Sequence, residues 1–188
     1  VESCQKVQRE GRIRHVCFSS HNKPENIRAL LDARQAGKTR HVGYSGDGEA
    51  ALWAIASGVF DTLQTSFNLV DQSARLEVLP KARAAGMGVI VKRPIANAAW
   101  NAPRGSGATR EGYRRGLQAL LDLGPIPGAP EDRIALALGF TLAHEEVDTA
   151  IVGTRNPAHM RANIATVEDE LPLPAEVVRE LHRRYDRA

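Results

Sequence analysis

The chain is 188 residues long, with 43% hydrophobic and 25% charged residues, a balance that suits a globular protein with a sizeable core and argues against disorder or membrane spanning. Twenty-five Lys and Arg against 22 Asp and Glu leave a net charge of +3, and the basic residues are scattered instead of forming one run, so charge alone does not indicate nucleic acid. Aromatic residues make up only 5%, too few for a base-stacking platform, and a small anionic ligand is the milder expectation.

Short β-branched runs alternate with longer stretches of helical periodicity, the pattern of a parallel sheet with crossover helices. The first run, 13–18, precedes a helix at 24–35, with Pro24 in its first turn. A second run, 39–44, leads to a helix at 47–57, and a third, 62–66, to a helix at 72–85. Gly37, Gly58 and Gly86 follow helical stretches, as left-handed caps do. After a fourth run, 88–92, the segment 96–129 contains AWNAPRGSGATREGYRRG and GPIPGAP; it is too rich in Gly, Pro and Arg for one element and reads as a long loop holding a short helix. A helix at 130–143, opened by Pro130, precedes the fifth run, 149–152. The tail at 174–185 is an amphipathic helix using Val177, Val178, Leu181 and Tyr185 for packing.

GRIRHVCFSSHN at 11–22 echoes GKTRHVGYSGDG at 37–48, with Gly, a basic residue, Arg, His, Val, an aromatic and Ser in register. So many matched positions favour a duplicated unit or a composite chain, and set residues 1–30 apart as a duplicated or foreign βα unit within a single 1–188 domain. Cys4 and Cys17 have neither metal-ligand spacing nor the number for a disulfide framework. No apolar stretch reaches the roughly 18 residues of a membrane span, and the start VESCQKVQREGR is unlike a signal peptide. A cytoplasmic protein is expected, with no metal cluster and no Ser-centred nucleophile motif.

The most informative stretch is TAIVGTRNPAHMRANI, 149–164: a buried strand, then Gly153, Thr154 and Arg155, then Asn156 as N-cap and Pro157 as first helical residue. Unpaired N–H groups at a helix start attract phosphate, Gly153 lets the backbone approach, and Thr154 and Arg155 add a hydroxyl and a guanidinium. In barrels of alternating strands and helices such a site follows the last strands. An ordinary strand-to-helix turn with an exposed Arg accounts for the same residues equally well.

GKTRHVGYS, DTLQTSFNLVD, GMGVIVKRPIANAAW and TAIVGTRNPAHMRANI, in that order, resemble the successive strand ends of the C-terminal half of an aldo/keto reductase, over roughly residues 31–167. The resemblance implies an α/β fold, a partial (β/α)8 TIM barrel of about five βα units with parallel strands. It implies an NADP-dependent oxidoreductase, with NAD left open, that reduces a small aldehyde or ketone by hydride transfer, this chain supplying mainly the cofactor half. On that resemblance Ser45 and Gln64 hold the nicotinamide carboxamide; the residue after the Ser, an Asn in the family, is Gly46 here. Lys92 stands where many members stack an aromatic on the nicotinamide, and Arg93, Pro94 and Ile95 lie along the pyrophosphate path. Gly153, Thr154 and Arg155 match the loop for the 2′-phosphate, His159 stands where some members carry Arg, and Asn163 matches the Asn that contacts adenine.

The family's chemistry needs a Tyr acid, a Lys that lowers its pKa, an Asp supporting that Lys, and a His, and no such set is recognisable here. Tyr44, Tyr113 and Tyr185 do not match the tyrosine position and read as packing or surface. His21, ending the first strand-like run, could stand in for the strand-end His or be an ordinary solvated loop residue. Two other functions stay open: a noncatalytic nucleotide-binding or protein-partner module with a degenerate barrel, and another barrel enzyme recognising a sugar phosphate. About five units cannot close an eight-stranded barrel. Open sheet edges are therefore expected, and with them either a fragment or association with itself or a partner chain; no nucleic acid or membrane is expected as a partner.

Overall fold

The computed structural model of the chain describes residues 2–13, 24–101, 103, 107–169 and 171–187. Four strands form one parallel sheet: β1 (Gly43–Ser45), β2 (Thr62–Ser66), β3 (Gly88–Lys92) and β4 (Thr149–Ile151), in the spatial order β1-β2-β3-β4. Among the described residues the helices are α1 (Glu2–Arg9), α2 (Pro24–Gln35), α3 (Gly48–Ser57), α4 (Val78–Ala84), α5 (Ala108–Asp122), α6 (Arg133–Leu142), α7 (Pro157–Asp169) and α8 (Ala175–Arg187). The order of the strands decides the architecture. Parallel crossovers are right-handed, so a sheet that never reverses its strand order places every crossover helix on the same face. That is a barrel wall; a doubly wound sheet reverses at a switch point.

The two faces differ accordingly. Leu63, Val89 and Val91 are fully buried and form one core with Ala51 and Ala54 of α3, Leu79 and Ala82 of α4, and Phe140 of α6. Each such Leu, Val or Phe side chain contributes about 1.5–3 kcal/mol by leaving water. The alternate residues Gln64, Ile90 and Lys92 point to the opposite, concave face and stay half-buried. Ile151 on that side of β4 is 46% exposed.

The ends of the sheet show why the elements start and stop where they do. The run predicted at 39–44 becomes a strand only at Gly43, because Thr39 turns its hydroxyl onto the His41 carbonyl and the Val42 amide donates to the Asp61 carboxylate at 2.7 Å. The same device recurs at the next strand pair, where the Val89 amide donates to the Asp148 carboxylate at 2.7 Å. In both places an Asp immediately before Thr closes the N-terminal end of the sheet.

Helix 24–35 stands as predicted, and Gly37, Gly58 and Gly86 all have positive φ. Helix 72–85 is instead a 3-10 turn, Ser73–Arg75, followed by α4, because Pro80 fits only a helix's first turn and would clash with an unbroken helix preceding it. Pro130 lies outside its helix: Asp132 is the cap of α6, its carboxylate accepting from the Ile134 and Ala135 amides at 2.6 and 2.9 Å. Segment 96–129 holds a 15-residue helix, not a short one, because Tyr113, Leu117 and Leu120 supply a buried stripe. α1 has no counterpart among the predicted elements. Most of the run predicted at 13–18, the first copy of the echo, Cys17 and His21 lie outside the described residues. The tail helix is α8, with Val177 and Leu181 buried and Arg184 donating to the Leu120, Gly124 and Pro125 carbonyls in and just after the last turn of α5.

Candidate functional site

The C-terminal ends of the parallel strands bring the predicted residues of β1, β2 and β3 together. Ser45 and Gln64 are direct neighbours in the sheet register. Both side chains are half-buried on the concave face, and neither has a hydrogen-bond partner among the described residues. A half-buried hydroxyl beside a half-buried amide offers donors and acceptors to a group that carries both, as a carboxamide does. The strand ends thus fit the nicotinamide end of a dinucleotide.

Gly46, where the resemblance leads one to expect Asn, has a local cause. A Cβ at Gly46 would fall 2.6 Å from Cε1 of Tyr44, and Tyr44 is held at 3% exposure against Phe60 and Trp53, with ring centroids 5.1 and 5.8 Å away. The outward-packed tyrosine and a side chain at 46 are mutually exclusive.

Lys92, the last residue of β3, places Nζ 3.0 Å from Oδ2 of Asp47, the residue preceding α3. The other oxygen of Asp47 accepts from the Thr65 hydroxyl at 3.1 Å and the Ser66 amide at 2.6 Å. Burial raises the pKa of Asp47, but the Ser66 amide, the Lys92 ammonium and the Thr65 hydroxyl together outweigh it and hold the carboxyl below its usual range. Arg93 is exposed and left-handed at φ 61°, a conformation of about 1–3 kcal/mol strain, with Nη1 on the Ser66 hydroxyl at 3.1 Å. Its carbonyl accepts from the buried Asn68 amide at 3.1 Å. Pro94 is buried, its carbonyl accepting from Thr141, and Ile95 packs against the core. Both serve the fold in this arrangement.

The start of α7 departs from the sequence expectation. The Asn156 side chain accepts from the Ala158 amide at 3.0 Å, the Asn156 amide donates to the Thr154 hydroxyl at 3.1 Å, and the His159 amide donates to the Asn156 carbonyl at 3.1 Å. The amides expected to cradle an anion are thus taken up by the chain itself, Pro157 having none to offer. Arg155 and His159 are exposed, Asn163 is half-buried, and the side chain of none of the three makes a hydrogen bond or ion pair among the described residues. Gly153 has open space around it. An anion here would be met by side chains more than by a helix terminus.

The tyrosines supply no poised acid. Tyr113 donates to the Asp71 carboxylate at 3.0 Å, and burial followed by that negative charge raises its pKa. Tyr44 is raised by burial alone. Asp47, Thr65, Ser66, Asn68, Asp71 and Tyr113 form the polar frame of these strand ends, and the sequence reading named none of them as site residues. The one available signal was an Asp two residues beyond one strand end and a Lys closing another. Among the described residues no three His, Cys, Asp or Glu side chains stand close enough to hold a metal, and no helix is long and apolar enough to cross a membrane.

The Aldo/keto reductase family model matches residues 20–186. This chain belongs to that family. It is similar to the uncharacterized oxidoreductase YrpG of Bacillus subtilis (strain 168), with 31% identity over 131 residues, 64% of this chain and 39% of that protein. It is also similar to pyridoxal 4-dehydrogenase of Microbacterium luteolum, 28% identical over 158 residues, 78% of this chain and 45% of that protein. L-galactose dehydrogenase of Arabidopsis thaliana is 25% identical over 170 residues, 77% of this chain and 47% of that protein. The chain thus spans less than half the length of these relatives. Among solved structures, the aldo-keto reductase AKR11C1 of Bacillus halodurans superposes in its apo form with a TM-score of 0.73 at 22% identity, covering 97% of this chain and 66% of that one. The holo form gives a TM-score of 0.72, again at 22% identity, with 65% of that chain covered. The likeness is one of fold: this aldo/keto reductase chain forms a partial (β/α)8 barrel.

Proposed function

We propose that the chain is the cofactor-binding half of an NADP-linked oxidoreductase of the aldo/keto reductase type, acting on a small aldehyde or ketone. The observation that carries this is the neighbouring Ser45 hydroxyl and Gln64 amide on the concave face, both without a partner among the described residues. Those two groups hold a nicotinamide carboxamide and orient the ring. Lys92 and Arg93 border the same strand ends, while exposed Thr154, Arg155 and His159 and half-buried Asn163 await the adenosine end around the open backbone of Gly153. Arg155 favours NADP over NAD, because a guanidinium matches the extra phosphate. When bound, the dinucleotide supplies the hydride; the chain supplies position. The relatives' names, oxidoreductase and dehydrogenase, support this class of reaction. We place the chain in the reducing cytoplasm, in keeping with the free thiol of Cys4.

Titration of NADPH fluorescence with the purified chain tests the assignment. Saturable binding at one site is expected, weakened by Gln64→Ala; folded protein without saturable binding removes it.

A second function is favoured by the tyrosines. With Tyr44 packed away and Tyr113 committed to Asp71, the described strand ends hold no acid of the family's kind. The chain alone is then a noncatalytic nucleotide-binding module that uses its open sheet edge to hold a partner. Carbonyl-dependent NADPH oxidation by the purified chain, abolished by Gln64→Ala, decides against that module.

A further inference from the structure

This inference rests on Ser45 and Gln64 as the carboxamide seat. β1 and β3 flank β2 and are therefore about 10 Å apart at ordinary strand spacing. Yet Asp47, two residues beyond β1, and Lys92, at the end of β3, meet at 3.0 Å. They meet over the end of β2, the strand that carries Gln64, because Asp47 is fastened there by the Thr65 hydroxyl and the Ser66 amide.

The two charges arrive from opposite sides. Lys92 belongs to the concave face with Gln64, and its side chain is 19% exposed. Asp47 leans on Thr65, whose side chain is buried on the helix-facing side, and the carboxylate is 48% exposed, where water screens it. Of the pair, the ammonium shares the face of Gln64 and is the less exposed, and so the less screened, charge. A nicotinamide ring is neutral when reduced and positive when oxidised.

We propose that Lys92, anchored by Asp47, makes this seat selective for the redox state of the cofactor. It binds NADPH in preference to NADP+ and sheds the oxidised form, as a carbonyl-reducing cycle requires. Lys92 acts here as a fixed charge beside the ring and transfers no proton.

The test is a pair of affinities, not a turnover rate. NADPH is titrated by its fluorescence and NADP+ by displacement, on the wild type and three variants, with circular dichroism confirming that each is folded. Lys92→Met is expected to lower the NADPH-over-NADP+ preference about five-fold, the scale of one charge acting across several ångströms of partly screened medium. Lys92→Arg keeps the charge and the preference. Asp47→Asn keeps an oxygen for Thr65 and the Ser66 amide while removing the screening charge, and widens the preference. A ratio unchanged in both Lys92→Met and Asp47→Asn, with both cofactor forms still bound, overturns the proposal and leaves the carboxamide seat standing. A wild type that binds neither form removes the seat and this selectivity together.

Discussion

A polar side chain on a half-buried face with no partner among the described residues is worth more to a ligand than to the fold, and that separates Gln64 from its neighbours. Gln64→Ala should leave thermal stability unchanged and weaken NADPH about five-fold, the scale of one or two lost hydrogen bonds. Fluorescence titration beside a melting curve measures both. Gly46 should behave in the opposite way. A methyl at Gly46 meets the Tyr44 ring at 2.6 Å, and that ring is wedged between Trp53 and Phe60, so Gly46→Ala should destabilise by about 1–3 kcal/mol in urea denaturation. At this scale the residues that could be named from sequence were those whose type and order recur at strand ends, such as Ser45 and Gln64. The Lys92–Asp47 pair was not among them, because it joins strands that are not neighbours and only the sheet order reveals that it crosses β2. The start of α7 escaped for the reverse reason: Asn156, which marks the helix start, is the group that consumes its free amides.

Between elements, the docking of α8 carries the clearest pH dependence. His144 Nδ1 lies 2.8 Å from the Phe140 carbonyl, which only accepts, so that nitrogen bears the proton and Nε2 of the neutral ring is an acceptor. His182 Nε2, 3.0 Å away, must then be the donor. Burial lowers both pKa values: for His182 it combines with the Arg75 cation and His144, against Asp186, to bring the value to about 4, and for His144 it outweighs the Phe140 carbonyl and Glu146, which raise it. An unfolded His takes up its proton near 6.5 while these resist. The unfolded chain therefore binds more protons as pH falls from about 6.5 to about 4, and stability is lost across that window and full above it. Urea midpoints measured against pH should fall there, and His182→Gln should flatten the slope. The same helix is held by Arg184, whose guanidinium serves three carbonyls at the end of α5 and just after it, so Arg184→Ala should destabilise by roughly 3 kcal/mol. Helices with one clean stripe, such as α2 and α8, were legible from spacing alone. α5 was not, since the Gly and Arg around Tyr113 masked a period that packing against the rest of the chain makes decisive.

For the molecule as a whole, the parallel order β1-β2-β3-β4 was legible from the alternation of runs, but where the sheet stops was not, because an edge has no composition of its own. Within the described sheet β4 pairs with β3 alone, and its other edge runs beside a groove of about 520 Å³ between α6, β4 and α7. The apolar residues there are unsatisfied: Ile151, Met160, Ile164 and Val167 are 36–49% exposed, and α7 has no buried residue. A helix that carries apolar side chains and buries none lacks the face it was shaped to meet. In solution the 188-residue polypeptide should cover this surface with a second copy, giving a sedimentation coefficient that rises with concentration. Ile164→Glu is the discriminating change, since it adds charge beside Asp148 and Glu168 in the same groove. Because Ile164 is 49% exposed in the single chain, the substitution should leave the unfolding midpoint of the dilute protein within about 0.5 kcal/mol of wild type while abolishing association. A wild type that sediments as a monomer at every concentration would show that the edge tolerates water, and an association untouched by Ile164→Glu would move the contact to another face of the barrel wall.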